Sequence, residues 1–377
     1  MKEKTIFIVA GETSGDLHGY LLVKALKKLN PQIKFCGAGG YLMEKEGIEI
    51  YHNLLELAVV GFWEVVKNLR KFRQIFKFLV KKIEEVKPDL VILIDFPGFN
   101  LRFAKEVKKR KIKLVYYISP QVWAWGKNRI KLIKKFVDKV IVIFKFEEDL
   151  YKSYGIDAVF VGHPLLDIVK PSDKKNRLLG KYKIDSLKRI ISLLPGSREI
   201  EVKRHLPILL KTAKLISQEI PDIQFIISQS PNLPENLFSH CLKHYPYNIT
   251  IIKNSYDCIE LADFVLVSSG TATLETAILG KPMAIIYKTS FLTWLIIKPQ
   301  IKIPYIGLAN IVAEEKIVPE FVQYGAKPKK ISQKVIELLN NPGEIKKTRE
   351  KLEMVRNRLG TSGAVERAAQ IISGIIS

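Results

Sequence analysis

Short apolar runs alternate with longer amphipathic stretches along the whole chain of 377 residues. The runs are continuous and rich in β-branched residues, as in "LVILI" at Leu90–Ile94, which is typical of strands buried on both faces of a parallel sheet. We predict strands at Thr5–Ala10, Leu90–Ile94, 113–118, 140–144, 190–194, 224–227, 249–252, 264–267 and 282–287, and one within "VFVGHPLLD". Between them, apolar residues recur every three or four positions, which predicts helices at 17–29, 62–86, 101–110, 128–137, 203–218 and 271–279.

The alternation is interrupted once, by the polar segment "KPSDKKNRLLGKYKID", and then starts again. Each half is an array of strand–helix–strand units, so we predict an α/β fold of two doubly wound parallel-sheet domains that face each other across a central cleft. The first domain is predicted at residues 1–168 and the second at 169–355. The chain ends in the apolar helical pattern "GAVERAAQIISGII", which must bury one face, and we predict that segment 356–377 completes the first domain.

The composition is that of a globular protein, 47% apolar and 26% charged, and no apolar run approaches the ~20 residues of a membrane span. Three scattered cysteines and six unclustered histidines offer no metal-ligand spacing and fit a reducing cytoplasm. The formal net charge of +23 is compatible with nucleic acid, an anionic membrane or an acidic substrate, and equally with a Lys-rich solvated surface. No nucleic-acid-binding motif accompanies it, so we expect no nucleic-acid partner.

One stretch concentrates the positive charge, "GFWEVVKNLRKFRQIFKFLVKKIEEVK" at residues 61–87. Its aromatic residues, including Phe62, Phe72 and Phe76, recur at helical spacing, and lysines and arginines fill the other positions. Such a helix can lie on an anionic bilayer with these three rings facing the membrane. The alternative is a helix that covers a sheet, with the lysine stems along its rim.

Two motifs in the second array follow predicted strands, where ligands bind in open α/β sheets. "PGSR" ends in Arg198, whose planar guanidinium suits phosphate oxygens, although an arginine that only caps its loop fits as well. "SSGTATLE" places Ser269, Gly270 and Thr271 at the start of a helix, where free N–H groups bind phosphate or are simply capped. Glu275 follows one turn later and could accept from a ribose diol. The pair of motifs predicts a nucleotide-diphosphate site.

The first array carries different chemistry. "LIDFPGFN" places Asp95 directly after a buried strand, as a structural acceptor or as a base that faces the cleft. Trp123 and Trp125 follow the next strand and suit stacking on a sugar, though packing is the commoner role of such rings.

The opening stretch "VAGETSGDLHGYLL" contains three glycines spaced by four but lacks the Lys-Ser/Thr of a phosphate-binding loop. Its residues Glu12, Ser14 and Asp16 suit hydrogen bonds to sugar hydroxyls, and its glycines would let the backbone approach a bulky ligand. We therefore predict that this loop lines the cleft on the acceptor side, with a purely structural turn as the alternative.

These segments, taken in order with "GAGGYLMEKEG", "SPQVWAW", "FVGHPLLD" and "VPEFVQ", resemble the lipid-A-disaccharide synthases, glycosyltransferases of the lipopolysaccharide pathway. The resemblance runs through nearly the whole chain. Three positions depart from the family pattern: Lys145 and Ala309 stand where the family usually has Pro, and Gly98 where many members have a second Asp.

The resemblance implies a GT-B fold and an inverting transfer from UDP-2,3-diacylglucosamine to the 6-hydroxyl of 2,3-diacylglucosamine 1-phosphate (lipid X). The products would be the β-1,6-linked lipid A disaccharide 1-phosphate and UDP. Asp95 matches the family's proposed base and Glu12 its functional N-terminal acid. The donor side would comprise Arg198, Ser269, Gly270, Thr271, Glu275 and Asn310.

The same resemblance implies a cytoplasmic protein that associates peripherally with the inner-membrane surface, and a homodimer is one candidate state. The chain has no DxD sequence to hold a Mg²⁺-bridged diphosphate, so we expect no metal and no cofactor. The alternatives are another UDP-sugar enzyme of this fold, such as a UDP-N-acetylglucosamine 2-epimerase or the muramyl-peptide glycosyltransferase, or a non-catalytic basic protein that binds membrane or nucleic acid.

Overall fold

The computed structural model describes residues 4–55, 69–123, 128–231, 233–243, 245, 249–291, 294–295 and 303–376. The chain divides into two compact units, of which the first comprises Met1–Pro164 with Leu359–Ser377 and the second Leu165–Arg358. Residues 165–168, which the predicted boundary includes in the first domain, form the helix Leu165–Ile168 of the second unit.

Seven parallel strands form the sheet of the first unit, in the order β3-β2-β1-β4-β5-β6-β7. The strands are β1 (Thr5–Ala10), β2 (Lys34–Gly39), β3 (Glu49–Asn53), β4 (Leu90–Ile94), β5 (Lys113–Tyr117), β6 (Lys139–Val142) and β7 (Ala158–Phe160). Their side chains alternate between two apolar cores: Phe7 and Val9 of β1 point to one, and Ile6 and Ile8 to the other. Both faces are covered by helices, which is why the strands are continuous apolar runs.

The helices of the first unit are α1 (Thr13–Leu29), α2 (Tyr41–Lys45), α3 (Leu69–Val86), α4 (Pro97–Lys109), α5 (Asn128–Phe136) and α6 (Lys145–Ser153). The C-terminal helix α16 (Ala364–Ile376) belongs to the same unit and packs beside α1. Its residues Val365, Ala368 and Ile372 enter the core that Ile6 and Ile8 line, so the end of the chain supplies part of the covering of this sheet.

The second unit contains a six-stranded sheet in the order β10-β9-β8-β11-β12-β13, with parallel pairing throughout. Its strands are β8 (Arg189–Leu194), β9 (Ile223–Ser228), β10 (Thr250–Ile252), β11 (Phe264–Ser268), β12 (Met283–Tyr287) and β13 (Glu320–Val322). Its helices are α7 (Leu165–Ile168), α8 (Lys175–Tyr182), α9 (Glu199–Glu219), α10 (Glu235–Leu242), α11 (Ser255–Leu261), α12 (Ala272–Ile278), α13 (Leu308–Ala313), α14 (Pro328–Leu339) and α15 (Pro342–Arg358).

The aromatic face of α3 packs on the first core, and Phe72 and Phe76, which are predicted to face a membrane, are half-buried there. Their rings lie 5.3 and 5.4 Å from that of the fully buried Phe99, in edge-on contacts. The exposed face of α3 carries cations and Phe78, which is 41% exposed. Phe62, the third predicted membrane-facing residue, lies outside the described residues, as does Trp125.

The glycine-rich opening stretch is mostly helical. Helix α1 begins at Thr13, whereas the sequence predicts a helix only from residue 17, because its glycines have low helix propensity. Those glycines are packing residues: a Cβ on Gly11 would lie 2.1 Å from the Phe96 ring, and one on Gly19 would lie 2.6 Å from Met43 Sδ. The predicted role of these glycines in close approach to a ligand is thus replaced by close approach of the chain to itself.

In the described part of the chain, no helix is both long enough and apolar enough to cross a bilayer.

Candidate active site

Asp95 lies on a strained turn at the carboxyl end of β4. Asp95 and Phe96 both have φ +46°, a left-handed conformation that is uncommon for residues other than glycine. The Asp95 carbonyl holds this turn, because it accepts hydrogen bonds from Tyr116 Oη and Asn100 Nδ2, each at 2.7 Å. Its backbone N–H donates to the carbonyl of Ile118 at the end of the neighbouring strand, at 3.2 Å. The main chain of the turn that carries the Asp95 side chain is therefore held by three hydrogen bonds.

The environment of Asp95 makes it a weaker acid than an ordinary aspartate. Burial raises its pKa to about 6, the negative charge of Glu12 contributes in the same direction, and the backbone N–H of Phe96 opposes both. Glu12 follows β1, which pairs with β4, so the two carboxyl groups emerge from neighbouring strands. A carboxylate with such a pKa is ionised at neutral pH and can still accept a proton.

A second buried acid lies nearby, on α6. Trp123 Nε1 donates to Glu147 Oε1 at 2.9 Å, and the Glu147 side chain is nearly fully buried. Burial raises the pKa of Glu147 to about 8, and the charge of Asp95 acts in the same direction. Among the described residues, Glu147 Oε2 has no hydrogen-bond partner.

Two imidazoles, the half-buried His18 and the buried His163, also belong to the first unit. Burial lowers the pKa of His18 to about 4 and that of His163 to about 3. His163 follows β7, and its ring lies 5.1 Å from that of Phe144. Both imidazoles are neutral at pH 7, so they add hydrogen-bonding groups to this unit without adding charge.

The second unit has a pocket of about 490 Å³ at the carboxyl ends of its strands. It is lined by Leu194, Pro195, Gly196, Ser197, Arg198, Glu201, Ser228, Ser230, Pro231, Lys253, Ser255, Ser268, Ser269, Gly270, Thr271, Ala272, Glu275 and Tyr287. Hydroxyl groups and backbone dominate this lining, and its position is the one that open α/β sheets use for ligands.

The "PGSR" segment forms the turn into the long helix α9, with Arg198 at the N-cap. The Arg198 side chain is 70% exposed, and its guanidinium lies 3.9 Å from Glu201, a loose ion pair. Glu201 Oε2 accepts from the backbone N–H groups of Ser197 and Arg198 at 3.1 and 3.3 Å. The Glu201 carboxylate thus already occupies these two backbone donors.

The "SSGT" segment forms the opposite wall. Gly270 has φ +150° with open space where a Cβ would be, so glycine is required there by backbone conformation. Glu275 is half-buried on α12 and is hydrogen-bonded to the Tyr256 hydroxyl; its burial raises its pKa to about 7. The hydroxyl of Ser269 donates to the carbonyl of Ile306 at 3.1 Å, so this side chain ties the wall to a neighbouring loop.

A histidine that the sequence did not single out joins two walls of the pocket. His205 is buried on α9, its Nδ1 donates to the carbonyl of Pro195 at 2.9 Å, and its Nε2 accepts from the Lys288 N–H at 3.0 Å. Burial lowers its pKa, in keeping with this neutral tautomer. His205 thereby fixes the loop after β8 to the end of β12.

The chain was compared with known proteins. A model of the lipid-A-disaccharide synthetase family matches residues 6–375. The lipid-A-disaccharide synthase of Syntrophus aciditrophicus is 43% identical over 371 residues, with 98% of this chain and 97% of that protein covered. The synthase of Geobacter sulfurreducens is 40% identical over 368 residues, covering 97% and 96%. The chain belongs to the lipid-A-disaccharide synthetase family. It is a glycosyltransferase of lipid A biosynthesis, as the sequence predicts.

Solved structures with this fold are more distant. The glycosyltransferase of kitacinnamycin superposes with a TM-score of 0.67 at 13% identity, over 100% of both chains. A UDP-N-acetylglucosamine 2-epimerase superposes with a TM-score of 0.63 at 14% identity, over 98% of this chain and 96% of that one. Identities this low bear on the fold alone, and they place the chain among GT-B proteins, which confirms the predicted fold class.

Most of the residues predicted on the donor side line one pocket: Arg198, Ser269, Gly270, Thr271 and Glu275.

Asn310 is the exception. It is fully buried, its Nδ2 donates to Val318 O and Glu320 Oε1, and its Oδ1 accepts from the N–H groups of Ile317 and Val318. Because both donors and both acceptor sites of this amide are used within the chain, we infer a structural role for Asn310 in place of the predicted contact with the donor.

Asp16, which is predicted on the acceptor side, has a structural role in the fold. Its carboxylate is 2% exposed and accepts from the N–H groups of Gly40, Leu42 and Met43 at 2.9–3.1 Å, so it holds the start of α2. Ser14 is exposed on α1, and Glu12 is the acid of this stretch that lies near Asp95.

The three departures from the family pattern are accommodated locally. Lys145 and Ala309 lie in the first turns of α6 and α13, positions where proline and other residues are both tolerated. Gly98 is exposed, with open space around a Cβ, so a side chain would fit there.

Sequence reasoning missed Glu147 and His205. Glu147 follows β6, so the rule that finds Asp95 at a strand's carboxyl end applies to it as well. His205 lies inside a helix, and nothing in its sequence neighbourhood indicates its contacts.

Proposed function

We propose that this protein joins UDP-2,3-diacylglucosamine to lipid X with inversion at the anomeric carbon, giving the β-1,6-linked lipid A disaccharide 1-phosphate and UDP. The observation that carries the proposal is Asp95: a carboxylate on a strained, half-buried turn, at the strand end where ligands bind, with a pKa raised to about 6. Family membership supplies the reaction class, and this carboxylate supplies the base that the class requires.

Inversion by a single displacement needs a base at the acceptor hydroxyl. In the proposed step, Asp95 accepts the proton of the 6-hydroxyl as that oxygen attacks the anomeric carbon and the bond to the UDP oxygen breaks. A positioned base of this kind typically contributes about 10²–10⁴-fold in rate. The hydrogen bonds on the Asp95 carbonyl support the role, because they hold the main chain of the turn without using the carboxylate oxygens.

The donor's UDP is assigned to the pocket of the second unit. Arg198 is an exposed guanidinium at the N-terminus of the 21-residue helix α9, a combination that suits a diphosphate. Ser269, Gly270 and Thr271 form the facing wall, and Glu275 can accept from the ribose hydroxyls. Because a cation and backbone amides can meet the charge of the leaving group, we propose that transfer needs no metal and no cofactor.

Glu12 is assigned to the acceptor side with Asp95, since both acids emerge from neighbouring strands of the first unit. Both substrates carry acyl chains, so we further propose that the protein works at the cytoplasmic surface of the inner membrane. The exposed cations of α3 support this, because anionic lipid attracts such a surface.

The proposal is tested by incubating the full-length protein with UDP-2,3-diacylglucosamine and lipid X, and reading the product by mass spectrometry. We expect the disaccharide 1-phosphate and UDP, both with and without EDTA. NMR of the product gives the anomeric configuration, which we expect to be β. Epimerisation of UDP-N-acetylglucosamine, or transfer that ignores acylation, would instead assign the protein to another UDP-sugar reaction.

Asp95→Asn tests the base. The amide keeps the shape and removes the basicity, so turnover should fall by about 10²–10⁴-fold while UDP binding is retained. A folded variant with near-normal turnover would end the assignment.

A further inference from the structure

Glu147 is a buried acid in aromatic surroundings. It lies in the first turn of α6, directly after β6, and is 2% exposed. The rings of Trp123 and Phe146 lie 5.3 Å apart, and Phe144 stacks on Phe146 at the same spacing. The next residue, Glu148, differs sharply, because its carboxylate is ion-paired with Lys145 and Lys152 at 2.6 and 2.8 Å.

In the described part of the chain, no cation pairs with Glu147. Its hydrogen-bond donors are neutral: Trp123 Nε1 at 2.9 Å, together with the backbone N–H groups of Phe144 and Ile143, just before α6. Asp95 and Tyr151 are the titratable groups that interact with it, and neither of them favours a negative charge. A buried carboxylate without a cation is strongly disfavoured, so the neutral acid is the expected form at pH 7.

The hydrogen bond from Trp123 reaches the loop that lies beside Asp95. This loop follows β5, the neighbour of β4, and it begins at Ile118, whose carbonyl accepts from the Asp95 N–H. Glu147 therefore connects the end of β6 to a loop that directly contacts the strained turn.

We propose that Glu147 is a positioning residue of the transfer reaction, a neutral acid that holds the Trp123 indole at the carboxyl edge of the first sheet beside Asp95. The proposal rests on the assignment of Asp95 as the base. By remaining uncharged, Glu147 orients its loop without placing another negative charge beside Asp95 and Glu12.

Two substitutions at one position test this. Glu147→Gln keeps an acceptor for Trp123 Nε1 and replaces the hydroxyl of the neutral acid by an amide donor, whereas Glu147→Ala removes both. We expect Ala to lower kcat by about 30- to 100-fold, the scale of a small misplacement of reacting groups, with a smaller change in KM. Gln should recover turnover to within about threefold of wild type, and the acid limb of the pH profile should stay in place.

The position of Trp123 is measured separately from activity. The chain has four tryptophans, so Phe at Trp63, Trp125 and Trp294 leaves Trp123 as the single reporter. In that background, Glu147→Ala should shift its emission and increase acrylamide quenching severalfold, and Glu147→Gln should do neither. Glu148→Gln is the matched control: it removes a charge from the adjacent position and should change neither kcat nor the fluorescence.

The outcomes separate the two proposals. If Asp95→Asn remains active, Asp95 is not the base, and the positioning role of Glu147 in the reaction is contradicted as well. The contact itself would still be supported if Glu147→Ala increases the quenching of Trp123 and Glu147→Gln does not. If Asp95→Asn is inactive and folded Glu147→Gln is as impaired as Ala, a charged Glu147 is needed and the proposal is overturned. It is also overturned if both variants lower the melting temperature equally and leave kcat of the folded protein unchanged.

Discussion

The charge of Glu12 acts on Asp95 and, together with burial, raises the pKa of Asp95 to about 6. If Asp95 is the base, only its ionised form works, so kcat/KM should fall as the pH drops through about 6. Glu12→Gln keeps the shape and removes the charge, so this limb should move to lower pH. A pH–rate profile measures it, with Glu44→Gln, at an exposed site on α2, as the control. A limb that stays or moves upward contradicts the coupling.

The same shift predicts that Asp95 destabilises the fold at neutral pH. Its pKa rises from 3.8 unfolded to about 6 folded, so stability is highest below about 4 and is lost as the pH rises through about 6. Asp95→Asn cannot ionise and should stabilise the protein at pH 7.5 by about 1–3 kcal/mol, the value of a shift of this size. Urea unfolding at pH 7.5 and pH 4.5 checks it, since the gain should shrink to about a third at the lower pH. A loss of stability at both pH values would indicate that the carboxylate is structural.

Arg198 should dominate the affinity for UDP. Its side chain is 70% exposed and its ion pair with Glu201, at 3.9 Å, is loose, so Arg198→Ala should weaken UDP by about 1.5–3 kcal/mol, the scale of a charged hydrogen bond. Calorimetric titration with Arg198→Ala measures this. Arg177→Ala removes another exposed arginine of the second unit and serves as the control. Unchanged affinity in Arg198→Ala would remove the residue from the site.

Glu201 should have the opposite effect. Its carboxylate occupies the N–H groups of Ser197 and Arg198, and its charge would repel a diphosphate at this turn. Gln can still cap the helix in this position, so Glu201→Gln removes the repulsion and keeps the fold. We expect UDP to bind up to about tenfold more tightly. Weaker binding would mean that Glu201 orients Arg198 rather than competing with the ligand.

The strands show what the sequence can predict. Leu90–Ile94 is a continuous apolar run, and the sequence predicts both its bounds and the position of Asp95 after it. Strand β2, "KFCGAG", was missed because its glycines suggest a loop. In the fold, a Cβ on Gly37 would lie 1.9 Å from Ile8 O, so glycine is required by close approach of β1. Such a requirement comes from a distant part of the chain and leaves no local pattern.

The site residues divide in the same way. The sequence motifs, and their positions after predicted strands, correctly indicate that Arg198 and Glu275 line the same pocket. The motifs do not distinguish a polar side chain that faces a ligand from one whose hydrogen bonds are all made within the protein. Asp16 is satisfied by backbone that lies 24–27 residues away, and this contact is fixed only by the fold.

Asn310 should prove necessary for stability and dispensable for UDP. Asn310→Ala leaves the N–H groups of Ile317 and Val318 and the carbonyl of Val318 buried without their partner, which should cost about 2–4 kcal/mol. Urea unfolding measures the loss, and calorimetry below the transition should give a normal UDP affinity. Asn236→Ala, at an exposed position on α10, should change neither. A stable Asn310→Ala protein that fails to bind UDP would restore the donor-side assignment.

Substitutions on the buried face of α3 should affect stability, whereas substitutions on its exposed face should affect membrane attachment. Phe76 packs on Phe99 and Phe103, so Phe76→Ser should destabilise the first unit by about 3 kcal/mol or more, as large-to-small core changes do. Phe78 is 41% exposed, so Phe78→Ser should cost little stability.

Attachment should depend on the exposed cations of α3. Arg73→Glu with Lys77→Glu reverses two of them, and we expect the variant to lose cosedimentation with phosphatidylglycerol vesicles at low salt, because each cation contributes about 1 kcal/mol near an anionic surface. Lys346→Glu with Lys347→Glu makes the same change in net charge at exposed positions on α15. If the two double variants lose binding equally, attraction is a property of the whole +23 charge and α3 is not a membrane-facing surface. If only the α3 variant loses binding, and its melting temperature is unchanged, one face of α3 packs on the core and the other binds the bilayer.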